Sequence, residues 1–257
     1  MNSELRLSIL NMICASGEGH IPSSYSIVDI INYIYEEVID IESIQNNSID
    51  RDYFILSKGH GAAALYAVLE KFGLLSNKEI ESYGKSDSVL GGHPDMTKIR
   101  NIEASTGSLG HGLPIATGVA MGMKIKGINR KVLCLVGDGE CQEGTIWEAA
   151  NIASNQRLGN LIVFVDWNGS AQQLMPIENL EEKWRAFGWK VLTCDGHSNV
   201  ALRETMQKVV HTFGPTVILA RTIKGKGSKL IEGHGIWHHK IPNPHELAQI
   251  QLELKGA

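Results

Sequence analysis

Lys131-Val132-Leu133-Cys134-Leu135-Val136 runs straight into Gly137-Asp138-Gly139-Glu140, and a second apolar run, Leu161 to Val165, ends in Asp166-Trp167-Asn168-Gly169, with Asn168 thirty residues after Asp138. Short runs rich in β-branched residues, each closed by a turn, read as strands. Three more fit that description: Tyr53 to Leu56, Lys190 to Thr193 and Thr216 to Ala220. Between them the 3.6-residue spacing predicts helices over Ala62 to Phe72, Leu113 to Ile125, Thr145 to Gln156 and Ala201 to Thr212. The N-terminal region reads as helix too. Leu5, Ile9, Met12 and Ile13 share one face, Ile27, Ile30, Ile31, Ile34, Tyr35 and Val38 share another, and Gly17 to Ser23 separates the two. Strands alternating with helices predict an α/β fold, a mostly parallel sheet with helices on both faces, and such sheets bind ligands at the carboxyl ends of their strands.

The bulk properties set the limits. The chain has 257 residues, 43% of them apolar and 20% charged, with 27 Gly against 7 Pro. That composition suits one globular domain spanning 1–257. A net charge of −4 and a pI near 6.2 provide no broad positive field, which argues against a nucleic-acid partner. Cys14, Cys134, Cys141 and Cys194 show no C-x-x-C spacing. Glu4, Arg6 and Asn11 interrupt the apolar start, so no export signal is expected, and no run is apolar enough to span a membrane. A reducing cytoplasm is the expected location.

The two strand ends carry the chemistry. Two adjacent phosphates in a site without basic residues repel one another and need a hard cation, Mg²⁺ or Ca²⁺, which takes carboxylate, amide and carbonyl oxygens. Asp138, the Asn168 side chain and the Ser170 carbonyl can supply them. Gly137 and Gly139 would let phosphate oxygens approach the backbone, and a helix starting near Thr145 would add its N-terminal dipole. Gly-Asp-Gly or Asn-Gly alone is an ordinary turn. Their pairing on successive strands is what points to a site.

From these residues outward the sequence resembles the transketolases over nearly its whole length. The resemblance runs through Gly19-His20-Ile21-Pro22, Leu56-Ser57-Lys58-Gly59-His60-Gly61, Gly92-His93-Pro94, Thr106-Gly107-Ser108-Leu109-Gly110-His111-Gly112, Gly137-Asp138-Gly139 with Glu143-Gly144, and Phe187-Gly188-Trp189. It implies a thiamine-diphosphate-binding fold with thiamine diphosphate and Mg²⁺ (or Ca²⁺) as cofactors. It further implies Asp138, Asn168 and Ser170 as metal ligands, and Gly137, Gly139, His60, Gly107 and Leu109 beside the cofactor. His20 and His93 would line the substrate channel. The family's last histidine falls ten positions after Ser228, on His238, preferred over His234, and the resemblance implies that it hydrogen-bonds the cofactor's diphosphate and the substrate; both lie in His234-Gly-Ile-Trp-His238-His239-Lys240-Ile-Pro-Asn. Transfer of a ketol unit moves protons between oxygens, so His20, His60, His93 and His238 are the candidate catalytic residues. No role is assigned to His197, His211 or His245; His197 reads as part of a turn before a helix.

The resemblance also implies a second polypeptide. Transketolases place the pyrimidine end of the cofactor, with its activating carboxylate, on another domain, and this sequence holds only the diphosphate-binding one. A C-terminal transketolase subunit carrying the pyrimidine-binding and C-terminal domains, in an α2β2 heterotetramer, is the expected partner. Glu143 and Glu148 would lie at the dimer contact; otherwise they are first-turn carboxylates complementing a helix dipole. The sequence departs from the family at Gln172, expected to replace an apolar wall beside the cofactor, and at His111 and Trp167. These departures put ordinary pentose-phosphate specificity in doubt, though small sugars remain the expected substrates.

Three rival readings compete. His234, His238 and His239 could bind zinc, but Gly233, Gly235 and Pro242 disfavour the helix that i,i+4 ligation requires. The chain could instead be the α-type subunit of a 2-oxo-acid dehydrogenase or of a carrier-loading two-carbon transferase, or a non-catalytic thiamine-fold subunit.

Overall fold

A computed structural model describes residues 2–209 and 214–256. Its strands are β1 (Tyr53–Leu56), β2 (Val132–Gly137), β3 (Leu161–Trp167), β4 (Lys190–Asp195) and β5 (Thr216–Arg221). They form one sheet in the order β1-β2-β3-β5-β4, and every pair is parallel. The helices are α1 (Ser3–Ser16), α2 (Ile21–Tyr33), α3 (Ile41–Gln45), α4 (Ala62–Lys71), α5 (Asn77–Glu81), α6 (Gly112–Lys126), α7 (Gly144–Asn155), α8 (Ala171–Leu174), α9 (Leu180–Ala186), α10 (Asn199–Gln207) and α11 (Pro244–Lys255).

The period-2 alternation of strand side chains divides the interior into two cores. Leu133, Leu135, Ile162, Phe164, Ile218 and Ala220 face one side, where they meet α1, α2, α4, α10 and α11. Val132, Cys134, Val136, Val163, Val165, Val217 and Leu219 face the other, against α6, α7 and α9. Strands covered on both faces are apolar at nearly every position, which is why their sequence reads as unbroken runs. All six residues of β2 are buried, whereas β4, at the sheet edge, has none that is fully buried.

Each predicted strand corresponds to an observed one, and β2 to β5 run one or two residues beyond the apolar stretch. The added residues, Gly137, Asp166 with Trp167, Cys194 with Asp195, and Arg221, continue the backbone pairing after hydrophobicity stops marking it. The expected break from Gly17 to Ser23 is too long, because α2 already begins at Ile21 with a proline in its first turn. The helix expected from Ala201 to Thr212 is observed as Asn199–Gln207, and positions 210–213, including His211, lie outside the described residues. The sequence reading missed α11, although Asn243 and Glu246 form a reciprocal capping box ahead of it. No helix among the described residues is long and apolar enough to cross a membrane.

Candidate functional site

The carboxyl ends of β1, β2 and β3 converge on a cavity of about 360 Å³. Parallel pairing sets Gly137 opposite Asp166, which brings Asp138 and Asn168 to neighbouring strand tips. Both line the cavity, with Ser23, Lys58, His60, Leu109, Gly137, Gly139, Glu140, Ser170, Lys224 and His238. Asp138 is only 3% exposed, and its two oxygens are fixed by backbone donors: Gly139 N–H to Oδ1 and Gly169 N–H to Oδ2, each 2.7 Å. Gly169 can turn its N–H toward Asp138 because it adopts φ +81°, a left-handed conformation open to glycine.

Asp166, absent from the sequence-based site, is its hub. Fully buried, it accepts hydrogen bonds from Ser26 Oγ (2.6 Å), Thr222 Oγ1, the Lys58 ammonium and Asn168 Nδ2 (3.0 Å). With Nδ2 tied back to Asp166, the orientation of the Asn168 amide is set, and its Oδ1 accepts from Ser170 N–H at 2.9 Å. Ser170 itself stands at the N-cap position of α8. Glu140 is a second buried hub. Its carboxylate accepts from Ser57 Oγ, Gly110 N–H (2.8 Å) and Gly137 N–H (3.0 Å), which joins the β1 tip, the loop before α6 and the β2 tip.

The expectation of a site without basic residues is overturned, since Lys58 and Lys224 both line the cavity. Lys58 is neutralised by Asp166. Lys224 donates to Ser170 Oγ (3.3 Å) and His238 Nδ1 (2.9 Å). Burial, and then the neighbouring Lys58, hold the Lys224 pKa below the usual range. Burial and the adjacent Asp166 carboxylate raise that of Asp138.

Histidines close one side. The His20 ring lies 5.4 Å from His60, 5.1 Å from His238 and 4.7 Å from His239. His20 Nδ1 donates to the His238 carbonyl at 2.9 Å, which leaves Nε2 of neutral His20 as an acceptor. His238 accepts from Lys224 on Nδ1, so its proton sits on Nε2. Burial, then Lys58 and the neighbouring rings, lower the His60 pKa to about 2; burial and Lys224 bring His238 to about 4. Burial also lowers the His20 pKa, so all three imidazoles favour the neutral form. The zinc reading fails in two respects. His234 lies over the Gly169 turn while His238 and His239 face His20, and no three His, Cys, Asp or Glu are grouped as a metal centre among the described residues.

Other expected residues lie at or beyond the rim. His93 is exposed, packed against Gly107. Neither lines the cavity, although Leu109 does. Glu143 and Glu148 are exposed, Glu143 as the N-cap of α7 and Glu148 as its fifth residue, so neither is the first-turn carboxylate of the alternative reading. The cavity wall draws on the 3-10 turn Gly139–Gln142, not on the first turn of α7, so the helix dipole expected near Thr145 is not what faces the site. Gln172 is also corrected. Its amide donates to the Ile177 carbonyl (3.2 Å) in a separate groove shared with Trp167, and the apolar wall of the site comes from Leu109, Ala171 and Met175. His111 is exposed and bonds back to the Leu109 carbonyl; Trp167 stacks under Arg221, 5.3 Å from its guanidinium.

The geometry fits a phosphorylated ligand with a bound cation. A Cβ built on Gly139 meets nothing within 4 Å, so the cavity floor there is bare backbone. The Ser23 hydroxyl, 1% exposed on the cavity wall, has no hydrogen-bond partner among the described residues. A buried polar atom of this kind needs a partner, and a ligand oxygen would supply one. The Asp138 carboxylate on one strand tip and the Asn168 side-chain oxygen on the next offer a cation hard oxygen donors from both.

Comparison with known proteins agrees. A family model described as "Transketolase, thiamine diphosphate binding domain" matches residues 1–254. The chain is 37% identical over 255 residues to an apulose-4-phosphate transketolase subunit from Actinobacillus succinogenes, covering 97% of this chain and 92% of that one. It is 36% identical over 262 residues to the 6-deoxy-6-sulfo-D-fructose transketolase subunit SqwG of a Clostridium species, covering 98% and 95%. Transketolase from Campylobacter jejuni superposes with a TM-score of 0.89 at 26% identity, covering 99% of this chain but 42% of that one. The chain thus spans nearly all of the subunit-type relatives and less than half of the longer enzyme. It belongs to the transketolase family, as a thiamine diphosphate binding domain.

Proposed function

We propose that this chain is the diphosphate-binding subunit of a two-subunit transketolase, transferring a two-carbon ketol unit from a ketose, phosphorylated or otherwise anionic, to an aldose-type acceptor. The observation that carries this is the convergence of Asp138 and Asn168 on neighbouring strand tips beside a buried Ser23 hydroxyl that has no partner among the described residues. Thiamine diphosphate, when bound, supplies the carbon that takes up the ketol unit. Mg²⁺ or Ca²⁺ would be held by Asp138, the Asn168 side-chain oxygen and the Ser170 carbonyl. Gly137, Gly139, Leu109, His60, Ser23 and Lys224 would surround the cofactor, the last neutralising phosphate charge, with Gly107 on the loop beyond the rim.

The histidines supply the proton handling. Neutral His20 can accept a proton at Nε2, and His238 can donate one from Nε2, so a substrate hydroxyl and an alkoxide can be served from one side. His93, at the rim, would meet the more distant sugar oxygens.

The relatives named as subunits support a partner chain. We assign to it the pyrimidine-binding and C-terminal domains, in an α2β2 heterotetramer whose contact includes the exposed Glu143 and Glu148 on α7. Residues 1–257 would then be one domain, and the four free cysteines suit a reducing cytoplasm. The test is reconstitution with the partner subunit. Metal-dependent thiamine diphosphate binding with consumption of a ketose donor supports the reading; turnover of a 2-oxo acid, or none at all, would sink it.

A further inference from the structure

The β4–α10 turn, assigned no role from sequence, reaches the site through a buried cluster. Arg6 on α1 is fully buried, and Asp29 on α2 is 1% exposed. Their pairing is two-pronged: Arg6 Nη2 donates to Asp29 Oδ2 at 2.6 Å and Nη1 to Oδ1 at 3.1 Å. Asp29 Oδ2 also accepts from His197 Nδ1 at 2.8 Å. Burial raises the Asp29 carboxyl, but the His197 and Arg6 hydrogen bonds together pull it well below the usual carboxylate range.

Both outer ends of this cluster grip one turn. Arg6 Nε donates to the Lys226 carbonyl at 2.6 Å, and His197 Nε2 accepts from Ile223 N–H at 2.9 Å. The two His197 bonds fix its tautomer, with the proton on Nδ1. Between the gripped residues stands Lys224, whose ammonium reaches Ser170 and His238 in the cavity. Gly227 lies directly on Arg6, where an added Cβ would come within 2.9 Å of Arg6 Cδ at φ +113°. A buried ion pair adds little net stability over a well-packed apolar replacement. What this one provides is directional: its spare donors and acceptors end on the backbone to either side of one lysine.

We propose that Arg6, Asp29 and His197 are positioning residues that act on the active site through Lys224, clamping the Ile223–Gly227 turn so that the ammonium faces the diphosphate end of the cavity. This rests on the thiamine diphosphate reading above. The turn has further ties: its central Lys224–Gly225 peptide is held by Gly225 N–H to the Pro22 carbonyl (3.0 Å) and by Gly233 N–H to the Lys224 carbonyl (2.8 Å), and Gly227 N–H donates to Glu232 Oε1 (3.2 Å); the clamp adds the hold on Ile223 and Lys226 to either side.

The experiment is a double-mutant cycle on the chain assembled with its partner subunit, with thiamine diphosphate affinity at saturating Mg²⁺ read by titration calorimetry and melting temperature recorded alongside. Lys224→Met should weaken binding about 10-fold and His197→Ala by a similar or smaller factor, the range for residues just outside a site's direct ligands. The double variant should bind no more weakly than Lys224→Met, while the losses in melting temperature accumulate. Asp29→Asn, which keeps the side-chain shape, should repeat the pattern if His197→Ala assembles poorly. Multiplying losses in the double variant, or unchanged affinity in both His197→Ala and Asp29→Asn, would overturn the clamp alone. A wild-type assembly that fails to bind thiamine diphosphate would overturn the functional reading and the clamp with it.

Discussion

The tips of β2 and β3 and the segment Gly233–Asn243 face the same cavity but are held in different ways. At the tips, strand pairing fixes the backbone, two N–H groups hold Asp138, and Asp166 gathers four donors in a fully buried position. The histidine segment has glycines at positive φ at 233 and 235, leaves Ile236 75% exposed, and contains no fully buried residue in its 3-10 turn. Past the backbone tie of Gly233 N–H to the Lys224 carbonyl, it is attached through side chains: His238 to Lys224, the His238 carbonyl to His20, and Lys240 over Trp237 at 4.3 Å and to Glu246. Cation-binding oxygens need fixed positions, since a small ion tolerates little spread in its ligands. Groups that meet a substrate gain from being able to close on it.

The largest contrast should appear in hydrogen exchange. Amides of Leu133 to Val136 should exchange at least about 10⁴-fold more slowly than those of Ile236 to His239, since core strands open only with global unfolding and such segments open locally. Comparable protection in the two regions would remove the distinction. Next comes Asp138→Ala. It should weaken metal-dependent thiamine diphosphate binding by at least about 1,000-fold, because even an outer-shell partner is worth about 10- to 100-fold; calorimetry with and without Mg²⁺ measures this.

His238→Ala should act differently, lowering turnover by about 100-fold, the scale of one proton-transferring group, with a much smaller change in cofactor affinity. If affinity collapses as far as turnover, His238 is structural and the division between the two regions is misplaced.

Acid stability probes the clamp away from the cavity. Asp29 has a folded-state pKa held below its unfolded value, so its stabilisation is present above the ordinary carboxylate range and drains away as pH falls through that range toward the lowered value. Asp29→Asn should therefore flatten the fall in melting temperature below about pH 4, and an unchanged acid limb would show the carboxylate contributes nothing there. The smallest effect is expected from Gln172→Leu. Its amide faces Ile177 outside the cavity, so cofactor affinity should stay within about twofold, as for surface changes generally; a larger shift would put Gln172 back beside the cofactor.

The sequence by itself determined the architecture and one pole of the site. Apolar runs marked the central strands because a sheet covered on both faces must be apolar nearly throughout, and Gly-Asp-Gly with the later Asn-Gly marked two of the tips because each polar residue comes at the end of such a strand. The tertiary structure alone decided which charges join them. Lys58 meets Asp166 across 108 positions, and Arg6 meets the Lys226 carbonyl across 220. No local periodicity encodes a contact at such separations. The same holds for Ser23 and Glu140, ordinary residues in the sequence whose importance lies in being buried, one without a partner among the described residues and the other with three donors. Burial and partnership are properties of the packed chain: a lysine or a carboxylate reads as surface until folding removes its water and fixes what it must bond to instead.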